Sequence, residues 1–492
     1  MTRGSGAGGI AAQSGSGGAP VAASGSSGSS GAGADAALPN TAGVSANAGA
    51  NALSGGSGGS SGVPSGGASS SMGGTSTTAP TGLLTELLNH PELTAITDAS
   101  PELSWIVNST QAGDKQTAYR VLVAKSADSL ATDTGDLWDS GKVASANSVN
   151  VTYAGKVLAA AGSYFWKVQT WDVTDQASPW SATQKFVMAS SVGAYSTATE
   201  PAAIERLPPS QLLQLGTGHY FIDFGRAAFG WLELTLDAAN AGASVEVDLG
   251  EKAKGQAVDS APGAGIRYAK VSVTLKQGKN TYRVQTPADK TNTTAPAIPL
   301  PASIGVVMPF RYVEVVNSPV ALTTDMIRQV AVHYPVDNTA STFKSSNATL
   351  NQVADISRYS VIATTFTGLY IDGDRERTPY EADAYIQGLG HYGVDREFAL
   401  ARHSHEYLLS HPTWPTEWKQ HSVMMAWTDW MYTGDTESLA QAYSVLIKEK
   451  TLESYAGSDG LLNTHGLRDI VDWPEGERDG YVLTDENTVV NS

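Results

Sequence analysis

Cysteine is absent from all 492 residues of the chain. This absence excludes disulfide bonds, thiolate metal ligands and a cysteine nucleophile. The chain also lacks a run of about 18 apolar residues, so we expect no membrane insertion. Its first residues, MTRGSGAGGIAAQSGSG, do not contain the apolar core of a secretory signal peptide. These absences restrict the chemistry more than they restrict the compartment.

Positive charge is scarce, since 31 Lys and Arg stand against 48 Asp and Glu, for a net charge of −17. Nucleic acids and anionic membranes require a basic surface on the proteins that bind them. We therefore expect no nucleic-acid partner and no membrane partner. A neutral or cationic ligand fits this charge better, and the oligomeric state is left open by it.

The start of the chain has almost no charge of either sign. Up to Pro80 it consists largely of Gly, Ser, Ala and Thr, and its only charged residues are Arg3 and Asp35. Such a composition cannot bury enough apolar surface to offset the entropy lost on ordering. We predict a flexible tether over 1–81. Tethers of this kind are typical of surface or secreted proteins, so an extracellular or cell-surface location is favoured.

Two stretches of short, alternating segments follow the tether. Within 82–190, strands are predicted at 103–107, 118–124, 148–155, 163–172 and 183–189. Apolar and polar residues alternate in these segments, which predicts a fibronectin type III-like β-sandwich. Residues 200–340 predict a second, accessory β-sandwich. Its strands are predicted at 220–225, 230–238, 243–251 and 310–317.

The apolar period becomes helical after about residue 345. Asn347 is a candidate helix cap, and Leu350, Val353, Ala354 and Ser357 follow along one face. Further helices are predicted at 379–391, 394–410, 421–432 and 436–449. Residues 341–492 are therefore expected to be all-helical, and the chain as a whole to be a multidomain β + α protein.

Charge is concentrated in DGDRERTPYEAD (372–383), where seven of twelve residues are charged against 16% in the whole chain. An extended backbone would place three acids on one side, Asp372, Asp374 and Glu376, and two arginines behind them. Crowding drives the pKa values of neighbouring carboxyls apart. One carboxyl can then stay protonated as a general acid, while another is ionised and binds hydroxyl groups.

A structural role competes for part of this stretch. Thr378 as the cap, Pro379 at the first helical position and Glu381 three residues after the cap match the capping-box pattern. We therefore predict that Glu381 caps the helix that follows.

Aromatic residues downstream add to the charged stretch. Trp427 and Trp430 lie three residues apart in a predicted helix, and we predict that they belong to the core. Trp418 lies at a loop–helix junction, and Trp473 precedes a proline and a polar loop, so both can face a ligand. Aromatic faces stack on sugar rings while carboxylates accept hydrogen bonds from sugar hydroxyls, so the combination predicts a sugar pocket.

Three motifs in this order resemble the α-L-rhamnosidases of glycoside hydrolase family 78: LYIDGDRERTPYEADAYIQGLGHY, EWKQHSVMMAWTDWMYTGD and DWPEGERDGY. The segments LWDSGKV, YFWKVQTWD, FIDFGRAAFGWLEL and FRYVEV resemble the accessory β-domains of that family. The resemblance implies β-sandwiches followed by the N-terminal part of an (α/α)6 barrel. It also implies a six-hairpin glycosidase that hydrolyses terminal α-L-rhamnosyl groups with inversion, acting on rhamnose-containing glycosides or polysaccharides.

The resemblance also implies roles for single residues. Glu376 matches the general acid of the family, with Asp372 and Asp374 as alternatives. The substrate-binding candidates are Asp372, Arg375, Tyr380, Asp383, Trp418 and Trp473. No cofactor is expected. No metal site is expected either, because the two histidines of HSHEY (403–407) point to different faces of a helix.

The general base of the family is a glutamate on a late helix of the barrel, which the resemblance places beyond Ser492. Residues 341–492 suffice for only about half of a closed double ring of helices. We therefore expect a partial catalytic domain that is inactive by itself. A base within this chain would have to be Glu477 or Glu486.

Two other functions fit the same features. One is a non-catalytic carbohydrate-binding or surface β-sandwich protein with a vestigial helical part. The other is an (α/α)6 glycosidase that acts on a different sugar, because a fold by itself does not determine a substrate.

Overall fold

The structure is a computed structural model and describes residues 77–193, 195–290, 292–463, 467, 468 and 470. Two β-rich parts are followed by helices along this part of the chain. Most of the predicted tether lies outside the described residues. In the described part, no helix is both long and apolar enough to span a lipid bilayer.

The first β part is a sandwich of two sheets. Its elements are β1 Thr77–Thr85, β2 Ala95–Asp98, β3 Glu102–Ser109, β4 Ala118–Ala124, α1 Ala127–Ala131, β5 Trp138–Asp139, β6 Val151–Thr152, β7 Ser163–Trp171 and β8 Gln184–Gly193. Strands β1, β3 and β6 form one sheet, and β2, β8, β7, β4 and β5 form the other. The five predicted strands are present, although the one predicted at 148–155 is reduced to β6. Strands β1, β2 and β5 were not predicted.

Aromatic side chains fill the space between these two sheets. Trp105 and Trp166 are buried with their ring centroids 6.5 Å apart. The indole nitrogen of Trp166 donates to Gln184 Oε1 at 3.0 Å, which satisfies its polar atom inside the core. Ala399, from the helical part, packs into the same cluster. The beginning of α4 therefore packs against the core of the first sandwich.

The second β part has eight strands around its own apolar core. They are β9 Ala203–Leu207, β10 Gln211–Gly216, β11 His219–Ala238, β12 Ser244–Gly250, β13 Tyr268–Thr274, β14 Gly278–Val284, β15 Met308–Val316 and β16 Ile327–His333. The main strand order is β13-β12-β15-β11-β16-β9, and β10 and β14 both pair with β11.

The separate strands predicted at 220–225 and 230–238 are one strand, β11, and this prediction was wrong. The first half of β11 pairs with β10 and β15, and its second half pairs with β14 and β16. Gly225, with φ of +84°, and a shift of register between Asp223 and Ala228 allow the strand to bend without ending. A glycine inside an alternating segment marked a bulge here rather than a turn.

The helices begin and end close to where their apolar spacing predicted. They are α2 Ala348–Ala363, α3 Glu381–Tyr392, α4 Ala399–Ser410, α5 His421–Thr433 and α6 Glu437–Val445, which runs on into a π-helical turn, Leu446–Lys450. Short 3-10 turns occur at Thr324–Met326, Glu417–Gln420 and Glu453–Tyr455. Asn347 caps α2 as predicted, because its side chain accepts from Thr349 N at 2.9 Å and Leu350 N at 3.2 Å. The α2 face with Leu350 and Val353 is nevertheless exposed.

A small apolar cluster joins the helices to the second β part. The rings of Phe229 and Phe366 are stacked, with centroids 4.1 Å apart. Phe366 and Ile371 also pack with Trp231 and Val330 of the β part. The chain from Phe366 to Ile371 leads directly into the charged stretch, so this cluster fixes the position of that stretch.

We expect Phe366→Ala to lower the free energy of unfolding of the helical part by about 3–5 kcal/mol, because a buried ring is replaced by a cavity. Phe366 is 1% exposed. Phe343→Ala is the matched control, because Phe343 is 62% exposed. Urea unfolding followed by circular dichroism measures both. Equal small losses for the two variants would contradict the anchoring role of Phe366.

Candidate active site

The charged stretch begins at a buried segment between α2 and α3. Tyr370 N donates to Ser404 Oγ at 3.1 Å, and its hydroxyl is hydrogen-bonded to His391 Nδ1. Gln387 Nε2 donates to Ile371 O at 2.7 Å. These bonds connect the backbone before Asp372 to α3 and α4. The backbone that leads into the carboxylates is therefore held in a fixed position.

Asp374 does not lie with the other acids, and the prediction of three acids on one wall was wrong. Its Oδ1 accepts from Arg377 at 2.6 Å, its Oδ2 from Arg267, and its carbonyl oxygen from Asn292 at 2.8 Å. The backbone is not extended here, because a turn covers 374–376, with φ of +122° at Gly373 and +53° at Arg377. The turn rotates Asp374 toward the second β part.

Arg375 lies on the side where a carboxylate was expected. Its guanidinium is 3.1 Å from Glu376 Oε1 and 3.9 Å from Asp372 Oδ2. Arg375 is largely exposed, so these pairs contribute little to stability. The guanidinium nevertheless brings a positive charge between two candidate site carboxylates.

Asp372 is the most deeply placed acid on this side, with 9% of its side chain exposed. Burial raises the pKa of Asp372 to about 6, and repulsion from Glu376 and Asp383 contributes to this rise. A hydrogen bond from Thr378 N opposes it. Asp383, in the first turn of α3, is thus close enough to act on Asp372. Glu376 and Asp383 therefore both act on the charge of Asp372.

Tyr380 links the acids to the aromatic side chains. Its hydroxyl donates to Glu376 Oε2 at 2.8 Å, and its ring meets Trp418 edge to face, with centroids 5.8 Å apart. Burial, and then the bond to Glu376, raise the pKa of Tyr380, so the phenol stays a donor. Glu376 is held between this phenol and Arg375, with 39% of its side chain exposed to solvent. It is therefore positioned yet accessible.

A cleft of about 620 Å³ opens beside these residues. It is lined by Ala295–Pro299, Thr378–Tyr380, Tyr407 and His411–Trp414. The guanidinium of Arg468 lies 4.4 Å from the ring centroid of Trp414. Neither Trp414 nor the proline-containing loop Ala295–Pro299 was predicted to belong to the site. The prolines of this loop were the sequence feature that could have indicated its role, because prolines hold an apolar segment extended without a strand partner.

The predicted capping role of Glu381 was wrong. Helix α3 begins at Glu381 itself, its N-cap is Tyr380, and the N-cap side chain makes no capping hydrogen bond. The buried Glu381 carboxylate instead accepts from Thr413 N at 3.0 Å and from the Thr413 hydroxyl. Glu381 therefore connects α3 to the loop that carries Trp414, and it remains a structural residue.

The burial of the tryptophans differs from the prediction. Trp427 is 60% exposed and stacks obliquely on Trp430 at 5.0 Å, so the prediction that Trp427 belongs to the core was wrong. Its position on α5 turns it outward from the other helices. Trp473 lies outside the described residues, as do Glu477 and Glu486.

Two family models match this chain. Residues 80–191 match the Rha78A-like, N-terminal immunoglobulin domain, and residues 338–492 match the bacterial alpha-L-rhamnosidase 6 hairpin glycosidase domain. An α-L-rhamnosidase of Formosa agariphila is 47% identical over 94 residues, which are 19% of this chain and 10% of the relative. One of Streptomyces avermitilis is 50% identical over 84 residues, 17% of this chain and 8% of the relative. The matched stretches thus span about a tenth of these relatives.

Solved structures share the fold at low identity. A Streptomyces avermitilis α-L-rhamnosidase complexed with L-rhamnose has a TM-score of 0.60 at 13% identity, covering 77% of this chain and 71% of that one. An α-L-rhamnosidase from Dictyoglumus thermophilum has a TM-score of 0.59 at 16% identity, covering 76% and 64%. The resemblance to the family 78 α-L-rhamnosidases, and the order of β-sandwiches before helices, are confirmed.

The raised pKa of Asp372 predicts a pH-dependent effect of Asp372→Asn. A carboxyl whose folded pKa is raised to about 6 stabilises the fold below its unfolded pKa, and this contribution is lost as pH rises through about 6. Asn does not titrate and retains the acceptor for Thr378 N. The free energy of unfolding of Asp372→Asn, compared with that of wild type, should therefore increase as the pH rises from about 4 to about 7. Urea unfolding at both pH values measures this difference.

Asp374→Asn is the matched control for that experiment. It removes a charge from between Arg377 and Arg267 and should destabilise the chain at pH 7, by about 3–5 kcal/mol, because the buried Arg377 then lacks its partner. A pH-independent difference between Asp372→Asn and wild type would contradict the burial assigned to Asp372.

Proposed function

Starting from the match of residues 338–492 to the bacterial α-L-rhamnosidase six-hairpin glycosidase domain, we propose that the whole protein is an inverting glycoside hydrolase. It releases terminal α-L-rhamnose from rhamnose-containing glycosides or polysaccharides. The observation that carries this proposal is the group Asp372, Glu376 and Tyr380 beside Trp418. It combines a positioned, accessible carboxylate, a buried one and an aromatic surface.

Glu376 is proposed as the general acid. The Glu376 side chain is more exposed than those of Asp372 and Asp374. It pairs with Arg375 and accepts a hydrogen bond from Tyr380, which lines the cleft. An acid must reach the glycosidic oxygen of the leaving group, which requires this accessibility. Asp374 is unsuited to the role because two arginines bind it.

Asp372 and Asp383 are proposed to bind the sugar hydroxyls, with Tyr380 and Trp418 as the walls of the pocket. A deep carboxylate accepts hydrogen bonds from hydroxyl groups in surroundings where water competes less. The edge-to-face packing of Tyr380 on Trp418 keeps both rings in fixed positions. Arg375 then restrains the two carboxylates and donates to oxygen atoms of the substrate.

Asp372 is the second candidate for the acid, and one observation favours it. Its pKa is raised to about 6, which suits a group that must be protonated near neutral pH. Glu376 remains the proposal because Asp372 is buried and bound to Thr378 N. The two assignments differ in their kinetic consequences.

We expect Glu376→Gln in the whole protein to lower kcat on rhamnosides with poor leaving groups by about 10²–10⁴-fold. The loss should be much smaller on p-nitrophenyl α-L-rhamnoside, whose leaving group needs little protonation. Glu381→Gln is the matched control, because the Glu381 carboxylate binds Thr413. This substitution should leave both rates near those of wild type. Proton NMR of the wild-type digest should show the β-anomer of L-rhamnose first, as inversion requires.

Four outcomes would change the assignment. Wild-type rates for Glu376→Gln on both substrates would remove it as the acid, and the leaving-group pattern in Asp372→Asn would transfer the role to Asp372. Cleavage of other aryl glycosides in preference to the rhamnoside would identify a different (α/α)6 glycosidase. Binding of rhamnose without turnover by the whole protein would favour the non-catalytic alternative.

Residues 1–492 by themselves are expected to be inactive in the same assay. Ile386, Trp427 and Met431 are exposed on α3 and α5. Apolar helix faces of this kind need further protein to cover them, and an uncovered pocket does not exclude water. Turnover by this chain would assign the base to a carboxylate within it, with Glu477 and Glu486 as candidates.

A further inference from the structure

Three carboxylates meet in the first β-sandwich, away from the candidate active site. Glu86 directly follows β1, Asp98 is the last residue of β2, and Glu102 is the first residue of β3. One carboxylate oxygen from each lies within 4.8 Å of the other two. The strand pairing fixes this arrangement, because Glu86 N donates to Glu102 O at 3.0 Å and Glu102 N donates to Glu86 Oε1 at 2.8 Å.

All three residues are buried, at 8%, 8% and 9% exposure for Glu86, Asp98 and Glu102. The Oδ2 atom of Asp98 is buried and has no hydrogen-bond partner among the described residues. Its other oxygen accepts from Ser100 N at 3.2 Å. A buried carboxylate oxygen without a donor is costly unless something positive reaches it. Asp98 therefore points to a ligand that the protein atoms do not supply.

The charges that act on the cluster are negative as well. Asp98 and Asp435 both repel the Glu102 carboxylate and, after burial, raise its pKa. Glu437, at the start of α6, has a pKa raised to about 7 by burial and then by Glu102, Asp98 and Asp435. The guanidinium of Arg402 binds both Asp435 and Asp429, and it opposes the rise in the pKa of Glu437. Negative charge from the sandwich and from the helices thus meets at one junction.

We propose that Glu86, Asp98 and Glu102 bind a calcium ion, which stabilises the junction between the first β-sandwich and the helices. Calcium takes oxygen ligands at about 2.3–2.6 Å, so two oxygens on one ion lie at most about 5.2 Å apart. The oxygens here meet that limit. A donor set made only of carboxylates suits calcium and does not suit zinc, which prefers nitrogen and sulfur.

The position of the ion explains how it acts on the fold. The same junction contains a hydrogen bond from Asn150 Nδ2 to Thr433 O, which ties the sandwich to the end of α5. Bound calcium reduces the repulsion between Glu102 in the sandwich and Glu437 on α6. Calcium binding to the folded chain then raises the thermal midpoint by mass action.

A shared proton is the competing explanation. Glu86 Oε1 accepts from Glu102 N at 2.8 Å, and burial raises the pKa of both carboxyls. One proton between them would reduce the repulsion without a metal. The two explanations differ in their response to calcium and to Glu102→Gln.

The test uses residues 1–492 after dialysis against EGTA. Calorimetric titration with calcium chloride, up to about 10 mM, should show one ion per chain, and the thermal midpoint should rise. Asp98→Asn and Glu102→Gln should each weaken calcium binding by about tenfold or more, since each removes a charged ligand. Asp128→Asn, which removes an exposed acid of α1 in the same sandwich, is the matched control and should bind like wild type.

The outcomes separate the explanations. Saturable binding that Asp98→Asn weakens and Asp128→Asn leaves unchanged supports the calcium site. Absence of binding, or equal binding by Asp98→Asn and wild type, overturns it. If Glu102→Gln raises the thermal midpoint while calcium has no effect on wild type, the cluster is a proton-sharing pair. Asp98→Asn replaces an oxygen that has no partner, so it should fold even if Glu102→Gln does not.

Discussion

The arrangement of the candidate site depends on the binding of Asp374 between two arginines. Arg377 lies on the same loop, and Arg267 belongs to the second β part, so the carboxylate joins the loop to a separate unit of the fold. Arg377 is buried and also donates to Val307 O at 2.9 Å. Since the buried Arg377 guanidinium needs this partner, the loop has one favourable position. Asp372, Arg375 and Glu376 lie next to one another as a consequence, and Glu376 is hydrogen-bonded to Tyr380, which lines the cleft.

This constraint explains why accessory β domains accompany the helices. The second β part supplies Arg267 and Asn292, which hold one side of the charged stretch, and the loop Ala295–Pro299, which lines the cleft. The helices supply the other side through Ser404 and Gln387. Under the proposed function, polar groups that contact a sugar must be held in place before it binds, and these two supports provide this. The site therefore belongs to the junction between the domains.

The sequence predicted what depends on local periodicity. The strands β3, β4, β7 and β8 and the helices from α2 to α6 follow from their apolar spacing, and the cap at Asn347 follows from its side chain. Family-specific motifs, rather than periodicity, identified the rhamnosidase relationship. The charged stretch was recognised from composition alone, and Asp372, Glu376, Tyr380 and Trp418 do come together.

Features that depend on distant partners were not predictable. Arg267, more than a hundred residues earlier in the chain, binds Asp374 and determines the direction in which it points. The backbone turn at this position also cannot be predicted from the alternation of side chains along a strand. Glu381 fits a capping box in sequence, yet Thr413 competes for its carboxylate.

The central measurement is a crystal structure of this chain soaked with L-rhamnose. We expect the sugar against Trp418 and Tyr380, with its hydroxyls on Asp372 and Asp383 and Glu376 near the anomeric oxygen. Rhamnose bound elsewhere, with these carboxylates unoccupied, would contradict the account.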